Sequence, residues 1–231
     1  MTEMLSTGVE ALDRRLDGGL PVGSLLALVA PPASQSEALI HDLMDERPTL
    51  YVTTIRQREA VEAELVADDH DAEVVVTHAG GTASMDSEFL KEVTGNRTHA
   101  LGSGDDRLLD DVYEAVERVD RPMNVVVDPA NPLERTDKRR AYQEVPNRLK
   151  ATLVETGGLG VVHCISSVEV PALRETTLTV ADVVWDLDVV EGSDSVEHQL
   201  LVPKNRRGTV VLEETTLVFE PHIHVDDSWN I

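Results

Sequence analysis

The chain has 231 residues, 43 acidic against 20 basic, for a formal net charge of −23. The length suits one domain spanning 1–231, and 41% apolar residues permit a sizeable core, which excludes a disordered acidic tail. No run reaches the roughly 18 apolar residues of a membrane span, Met1–Ser6 lacks the stretches of a signal peptide, and the lone Cys164 cannot build a disulfide framework, so the expectation is a soluble cytoplasmic protein.

Taken in chain order, Thr7 and Glu10 form a capping-box pair that predicts a short helix ending at Asp17-Gly18-Gly19. Short apolar runs follow at Leu25–Ala30, Leu50–Ile55, Val74–Thr77, Val125–Val127 and Val161–Ile165, the pattern of strands covered on both faces. Residues 79–104, rich in Gly, Ser and Thr, read as a long excursion. Asp105–Val119 carries one apolar stripe at helical spacing, and Pro146 predicts the first turn of a helix that stops at Gly157-Gly158. Val183–Val190, His198–Val202, Val210–Glu213 and Leu217–Phe219 lie close together, punctuated by Gly192-Ser193 and Gly208, and read as antiparallel hairpins closing one edge. The sum is an α/β fold, a mostly parallel sheet flanked by helices.

The acidity is scattered through every segment, and only four lysines accompany sixteen arginines. Even dispersal suits a cytosol of molar salt, where the Debye length is about 3 Å and self-repulsion is screened. The rival explanation is a protein that mimics or avoids nucleic acid. Arg135–Arg148 is a dense basic patch with only Tyr142 among its aromatics, so a solvated helix face is expected there and direct nucleic-acid contact is not.

Ser6–Ile40 reads STGVEALDRRLDGGLPVGSLLALVAPPASQSEALI. In order, Ser6, Thr7, Gly8, Leu12, Asp13, Leu16, Gly18, Gly19, Leu20, Pro21, Gly23 and Ser24 resemble the opening of the KaiC-like branch of the RecA-type ATPases, which includes the archaeal RadA and RadB types. Asn124–Asp128 resembles the Walker B strand, and Pro203–Gly208 resembles the family's late Lys-x-Arg-Gly element. The resemblance implies a RecA-like sheet, an ATP and Mg²⁺ site at the loop after the first core strand, and assembly into rings or filaments.

At that loop the pattern breaks. A phosphate-binding loop needs glycines so that backbone N–H groups can close on phosphate, a lysine for its charge and a hydroxyl for Mg²⁺. In the matching register the chain has Ala30, Gln35, Ser36 and Glu37, and its first lysine is Lys91. Ser34-Gln-Ser-Glu37 reads as another capping box, which would satisfy the helix end internally and set the Glu37 carboxylate where a phosphate belongs. Thr53 and Thr54 stand where a catalytic acid is expected, and Glu59 reads as surface. Ser34, Ser36, Glu37 and Asp128 are therefore vestigial nucleotide-site residues by resemblance, no residue is assigned a catalytic role, and Asp128 is expected to cap or bond in the turn before Pro129.

Lys204, Arg206 and Arg207 match the family's finger, which reaches a neighbour's γ-phosphate, although one extra residue separates Lys204 from Gly208. Either the finger serves a mixed oligomer or it is a basic turn paired with nearby carboxylates. His222 and His224, with Asp226, have metal-ligand chemistry, but such spacing in an extended segment is more often incidental. His163 and Cys164 read as core. The function expected is a non-hydrolysing regulatory or scaffolding partner of an intact relative or of itself, without cofactor; the alternatives are a divergent ATPase, needing ATP and Mg²⁺, and a RadB-type recombination accessory.

Overall fold

A computed structural model describes residues 3–76, 104–191, 196–219 and 223–225. In chain order these form β1 (Met4–Leu5), α1 (Glu10–Arg15), β2 (Leu20–Pro21), β3 (Leu25–Ala30), α2 (Ser36–Asp45), β4 (Thr49–Thr53), α3 (Arg58–Ala67), β5 (Ala72–Val76) and α4 (Gly104–Glu117). After them come β6 (Asn124–Asp128), α5 (Asn131–Glu134), α6 (Arg139–Thr156), β7 (Leu159–Ile165), α7 (Arg174–Val180), β8 (Val183–Glu191), β9 (Val196–Asn205), β10 (Val211–Phe219) and β11 (Ile223–Val225). Among the described residues the main sheet has nine strands in the order β11-β10-β9-β8-β3-β7-β6-β4-β5. The strands from β8 to β5 in that order pair parallel, and β9, β10 and β11 add antiparallel to the β8 edge. The α/β fold with an antiparallel C-terminal edge is therefore present.

Alternation along the central strands divides the core between two faces. On β3, Leu26, Leu28 and Ala30 join Leu12, Leu39, Ile40, Leu43 and Trp185 on the α1–α2 side. Leu25 faces the other way, with Val125, Val127, Val112, Leu149 and Leu153 under α4 and α6. Gly160 on β7 permits that second layer: a Cβ there would press on Leu153 Cδ1 and Leu25 Cδ1, at 2.5 and 2.7 Å.

Three local expectations are corrected. α1 is capped at Val9 without a side-chain bond, so the Thr7–Glu10 box does not form. Asp13 displaces it: Oδ1 accepts from Thr7 N at 2.9 Å and Thr7 Oγ1 at 2.6 Å, and Oδ2 accepts from Ser6 Oγ at 2.8 Å. Pro146 lies inside α6 and does not open it. It forfeits the bond to the Tyr142 carbonyl, but burial of Tyr142, Val145, Leu149 and Leu153 carries the helix across. Residues 211–213 and 217–219, read as separate runs, belong to one strand, β10, whose register on β9 shifts between Val211 and Thr215. The excursion 79–104, the turn at Gly192-Ser193, His222 and Asp226 lie outside the described residues, as does the side chain of His224.

Candidate functional site

The carboxyl ends of β3, β4, β6 and β7 converge beneath the start of α2, where open α/β sheets place their ligand sites. Residues 30–37 link β3 to α2 and read Ala-Pro-Pro-Ala-Ser-Gln-Ser-Glu, with neither glycine nor lysine. The backbone nevertheless takes conformations that glycine favours: Ala33 has φ 63° and Gln35 has φ 56°, ψ 24°. A left-handed conformation costs a non-glycine residue about 1–2 kcal/mol. Gln35 is the position that the resemblance aligns with a loop glycine, so a glycine-type turn is present there without a glycine.

The predicted Ser34–Glu37 capping box is absent. α2 begins at Ser36 with Gln35 as its cap and no side-chain cap bond. Among the described residues Ser34 Oγ is buried without a hydrogen-bond partner, and Glu37 is exposed. The left-handed turn at Gln35 explains this, because a capping box needs an extended cap residue directly before the helix.

Ser36 turns inward instead. Its Oγ is 3.0 Å from His163 Nε2, and His163 Nδ1 is 2.5 Å from Asp128 Oδ1. Tyr51 OH donates to the other oxygen, Asp128 Oδ2, at 2.5 Å. Burial pushes the Asp128 carboxyl up, but the hydrogen bond and charge of His163, with Tyr51 and Arg56, overcome this and hold it below its ordinary range. An ionised Asp128 accepts from His163 Nδ1, and Ser36 Oγ is hydrogen-bonded to the opposite ring nitrogen. Burial and Asp128 keep the Tyr51 phenol protonated far above its usual range.

The order Ser, His, Asp is that of a nucleophile, its base and the group that orients the base. Here Ser36 is 2% exposed, His163 1% and Asp128 4%, so the serine is closed off from solvent. The chain spans the space between the start of α2 and the ends of β6 and β7, and both oxygens of the Asp128 carboxylate are engaged. Asp128 therefore bonds across to β4 and β7; the turn before Pro129 is held by others, through Thr54 N donating to Asp128 O at 3.0 Å and Thr54 Oγ1 to Pro129 O at 2.6 Å. Thr53 Oγ1 accepts from Arg56 N at 3.2 Å, and Glu59 is exposed on α3. His163 was legible only as core, because its polarity is hidden in the apolar run of β7 and its partners are distant in sequence.

Residues 4–231 match the family described as "Family of unknown function (DUF7125)". The chain belongs to this family. Among solved structures, the DUF7125 chain is similar to the KaiC-like protein PH0186 from the hyperthermophilic archaeon Pyrococcus horikoshii OT3, with a TM-score of 0.68 and 18% identity over 97% of this chain and 99% of that one. At that identity the likeness establishes the fold, that of the KaiC-like RecA architecture. A comparison with curated proteins finds no match.

Lys204, Arg206 and Arg207, which the resemblance matches to a finger, sit at the opposite end of the sheet in the DUF7125 chain. Asn205 pairs with Val183, which lies beside Leu26 near the start of β3. The loop 31–35 follows the other end, six residues of strand or about 20 Å away. Lys204 Nζ donates to Leu178 O at 2.5 Å and Thr179 O at 3.2 Å, and Arg206 NH2 to Thr179 O at 2.5 Å. Both cations thus meet the carbonyl end of α7, as the helix dipole favours. Arg207 NH2 donates to Val22 O at 2.9 Å, and Arg206 NH1 is 3.8 Å from the buried Asp182. Burial, then the neighbouring Arg206, lowers the Lys204 ammonium below its ordinary range.

A second buried polar group went unread in the sequence. Glu134 on α5 is fully buried and accepts from Arg174 Nε at 2.9 and 2.8 Å and from Thr177 Oγ1 at 2.5 Å. Arg174 NH2 also reaches Ile165 O at 3.3 Å, tying α5 and α7 to the end of β7. A cleft of about 520 Å³ bounded by Leu50, Glu73, Arg118, Arg121 and Met123 lies at the amino ends of β4 and β6, away from the ligand-binding edge of the sheet. Among the described residues no helix is long and apolar enough to cross a membrane.

Proposed function

We propose that this DUF7125 chain is a non-hydrolysing member of the KaiC-like RecA fold, acting as a regulatory or scaffolding partner of an intact relative or of a second copy. The observation that carries the reading is the Ser36–His163–Asp128–Tyr51 chain. At the point where the fold's nucleotide-binding members hold phosphate and Mg²⁺, its side chains bond to one another and bury the Asp128 carboxylate. The absence of glycine and lysine from residues 30–37 points the same way, since phosphate needs both backbone approach and positive charge. Thr53 and Thr54, spent on local hydrogen bonds, offer no base for an attacking water.

The scattered acidity further supports a home in molar salt, where a net charge of −23 is screened. Calorimetric titration of Mg-ATP and Mg-ADP into the full chain in molar KCl tests the reading. The expected result is no saturable heat and no phosphate release. Micromolar binding with turnover that Asp128→Asn abolishes would instead establish a divergent ATPase, and binding to single-stranded DNA at the same salt would favour a recombination accessory.

A further inference from the structure

Away from the buried chain, the outward face of α2 borders a cleft of about 340 Å³ lined by Gln35, His41, Asp45, Asp68, His70 and Phe219, among others. Two imidazoles and a carboxylate meet in it. His41 projects from α2, Asp68 caps the end of α3, and His70 lies in the turn that leads into β5. One ligand atom from each of the three lies within 4.8 Å of those from the other two. The rings of His41 and His70 stand edge to face, centroids 5.0 Å apart at 71°.

The distances suit a small ion. Metal–ligand bonds of about 2.0–2.2 Å in a tetrahedron set neighbouring ligand atoms about 3.3–3.6 Å apart. His41 Nδ1 is already 3.4 Å from Asp68 Oδ2, and the Asp68 side chain is half exposed. Two further carboxylates flank the rings: Asp45 Oδ1 stands 3.0 Å from His70 Nδ1, and Glu64 Oε1 stands 3.7 Å from His41 Nε2. Metal-bound imidazoles commonly keep such carboxylates at their second nitrogen.

His70 supplies a separate indication. Its side chain is 3% exposed, yet among the described residues neither ring nitrogen makes a hydrogen bond, since Asp45 lies close to Nδ1 but off its bonding direction. Buried polar groups are nearly always satisfied, and an exception calls for a missing ligand.

We propose that His41, Asp68 and His70 form a binding site for a divalent transition-metal ion of the zinc class, with the fourth position left to water. Two imidazoles with one carboxylate select zinc, cobalt or nickel over magnesium and calcium, which prefer all-oxygen sites. Bound there, the ion clips α2 to the α3–β5 turn, on the face of α2 opposite the Ser36 hydroxyl. The proposal is independent of whether the loop 31–35 accepts nucleotide.

The full chain, stripped with a chelator and exchanged into molar KCl, is titrated with Zn²⁺ by calorimetry, and with Co²⁺ to read coordination from its visible absorption. The expected result is saturation at one equivalent, tetrahedral-type cobalt bands, and no competition from excess Mg²⁺. His70→Gln and His41→Gln should each weaken Zn²⁺ by more than the roughly 10–100-fold typical of an outer-shell partner. Asp68→Asn, at a half-exposed position, keeps the test alive if His70→Gln fails to fold, circular dichroism serving as the control. Absence of a one-equivalent step overturns the proposal. So does unchanged affinity in folded His41→Gln and Asp68→Asn, which would place the ion elsewhere, for instance on His222 and His224.

Discussion

His163 Nδ1 meets Asp128 Oδ1 at 2.5 Å across two adjacent parallel strands, and neither residue is more than 4% exposed. The contact joins β6 to β7 at the edge where the fold's ligand site lies. Removing one partner leaves the other buried without its charged counterpart, which typically costs about 3–5 kcal/mol. His163→Leu is therefore expected to lower stability by that amount in denaturant unfolding at high salt. The double variant His163→Leu/Asp128→Leu should recover part of the loss, because no charge is then left buried. A loss below about 1 kcal/mol for His163→Leu would mean that the pair is solvated and the loop site open.

Acid should expose the same pair. Asp128 has a folded-state value below its unfolded one of about 3.9. Its contribution is thus complete above about pH 3.9 and is lost as pH falls from there through the depressed folded value. Stability of the parent chain should fall more steeply below about pH 4 than that of Asp128→Asn, so the gap between them narrows. Unfolding curves at several pH values in constant KCl measure it; a gap that holds steady through that range would show that Asp128 does not titrate with folding.

The loop backbone carries its own cost. Gln35 and Ala33 are exposed, so their side chains contribute little packing, while both occupy left-handed φ. Gln35→Gly relieves about 1–2 kcal/mol of conformational strain and gives back about 0.4–1 kcal/mol through a more flexible unfolded chain. A net gain of about 0–1.6 kcal/mol is expected. Gly8→Ala should go the other way, because Gly8 has φ +84° and a Cβ there would collide with the Asp42 carbonyl. Thermal unfolding of the two single variants checks both signs, and destabilisation by Gln35→Gly would show that its side chain holds the loop.

These contrasts mark how far the sequence was readable. Leu25–Ala30 is a strand because apolar residues fill both of its faces, and that pattern is local. Gly157, with φ 78°, ends α6 for an equally local reason. The missing glycine and lysine at residues 30–37 were legible too. The contacts that the segment makes were not: Ser36 and Asp128 were visible as candidate positions, but His163, which joins them, looks like one more buried residue of β7. The cluster of His41, Asp68 and His70 was hidden for the same reason, since α2 and the α3–β5 turn become neighbours only through the sheet. The capping boxes failed because a four-residue motif carries no information about competitors, and Asp13 won the contest for Thr7.

Glu134 and Arg174 pose the same question on the other side of the sheet. Glu134 is fully buried and Arg174 is 6% exposed, with both carboxylate oxygens engaged by the guanidinium. Arg174→Met leaves the carboxylate beside Thr177 and Cys164 without its cation, and a loss of about 3–5 kcal/mol is expected. Glu134→Gln/Arg174→Met should regain part of it. Cys164 reports on the region, because burial and then the Glu134 charge push its thiol far above its usual range. A thiol reagent should therefore label Cys164 in the native parent only at the rate of opening, and faster in Arg174→Met, where α5 and α7 lose their tie to Ile165 O. Rapid labelling of the native parent would mean that the end of β7 opens locally, and that the Glu134–Arg174 pair does not close it.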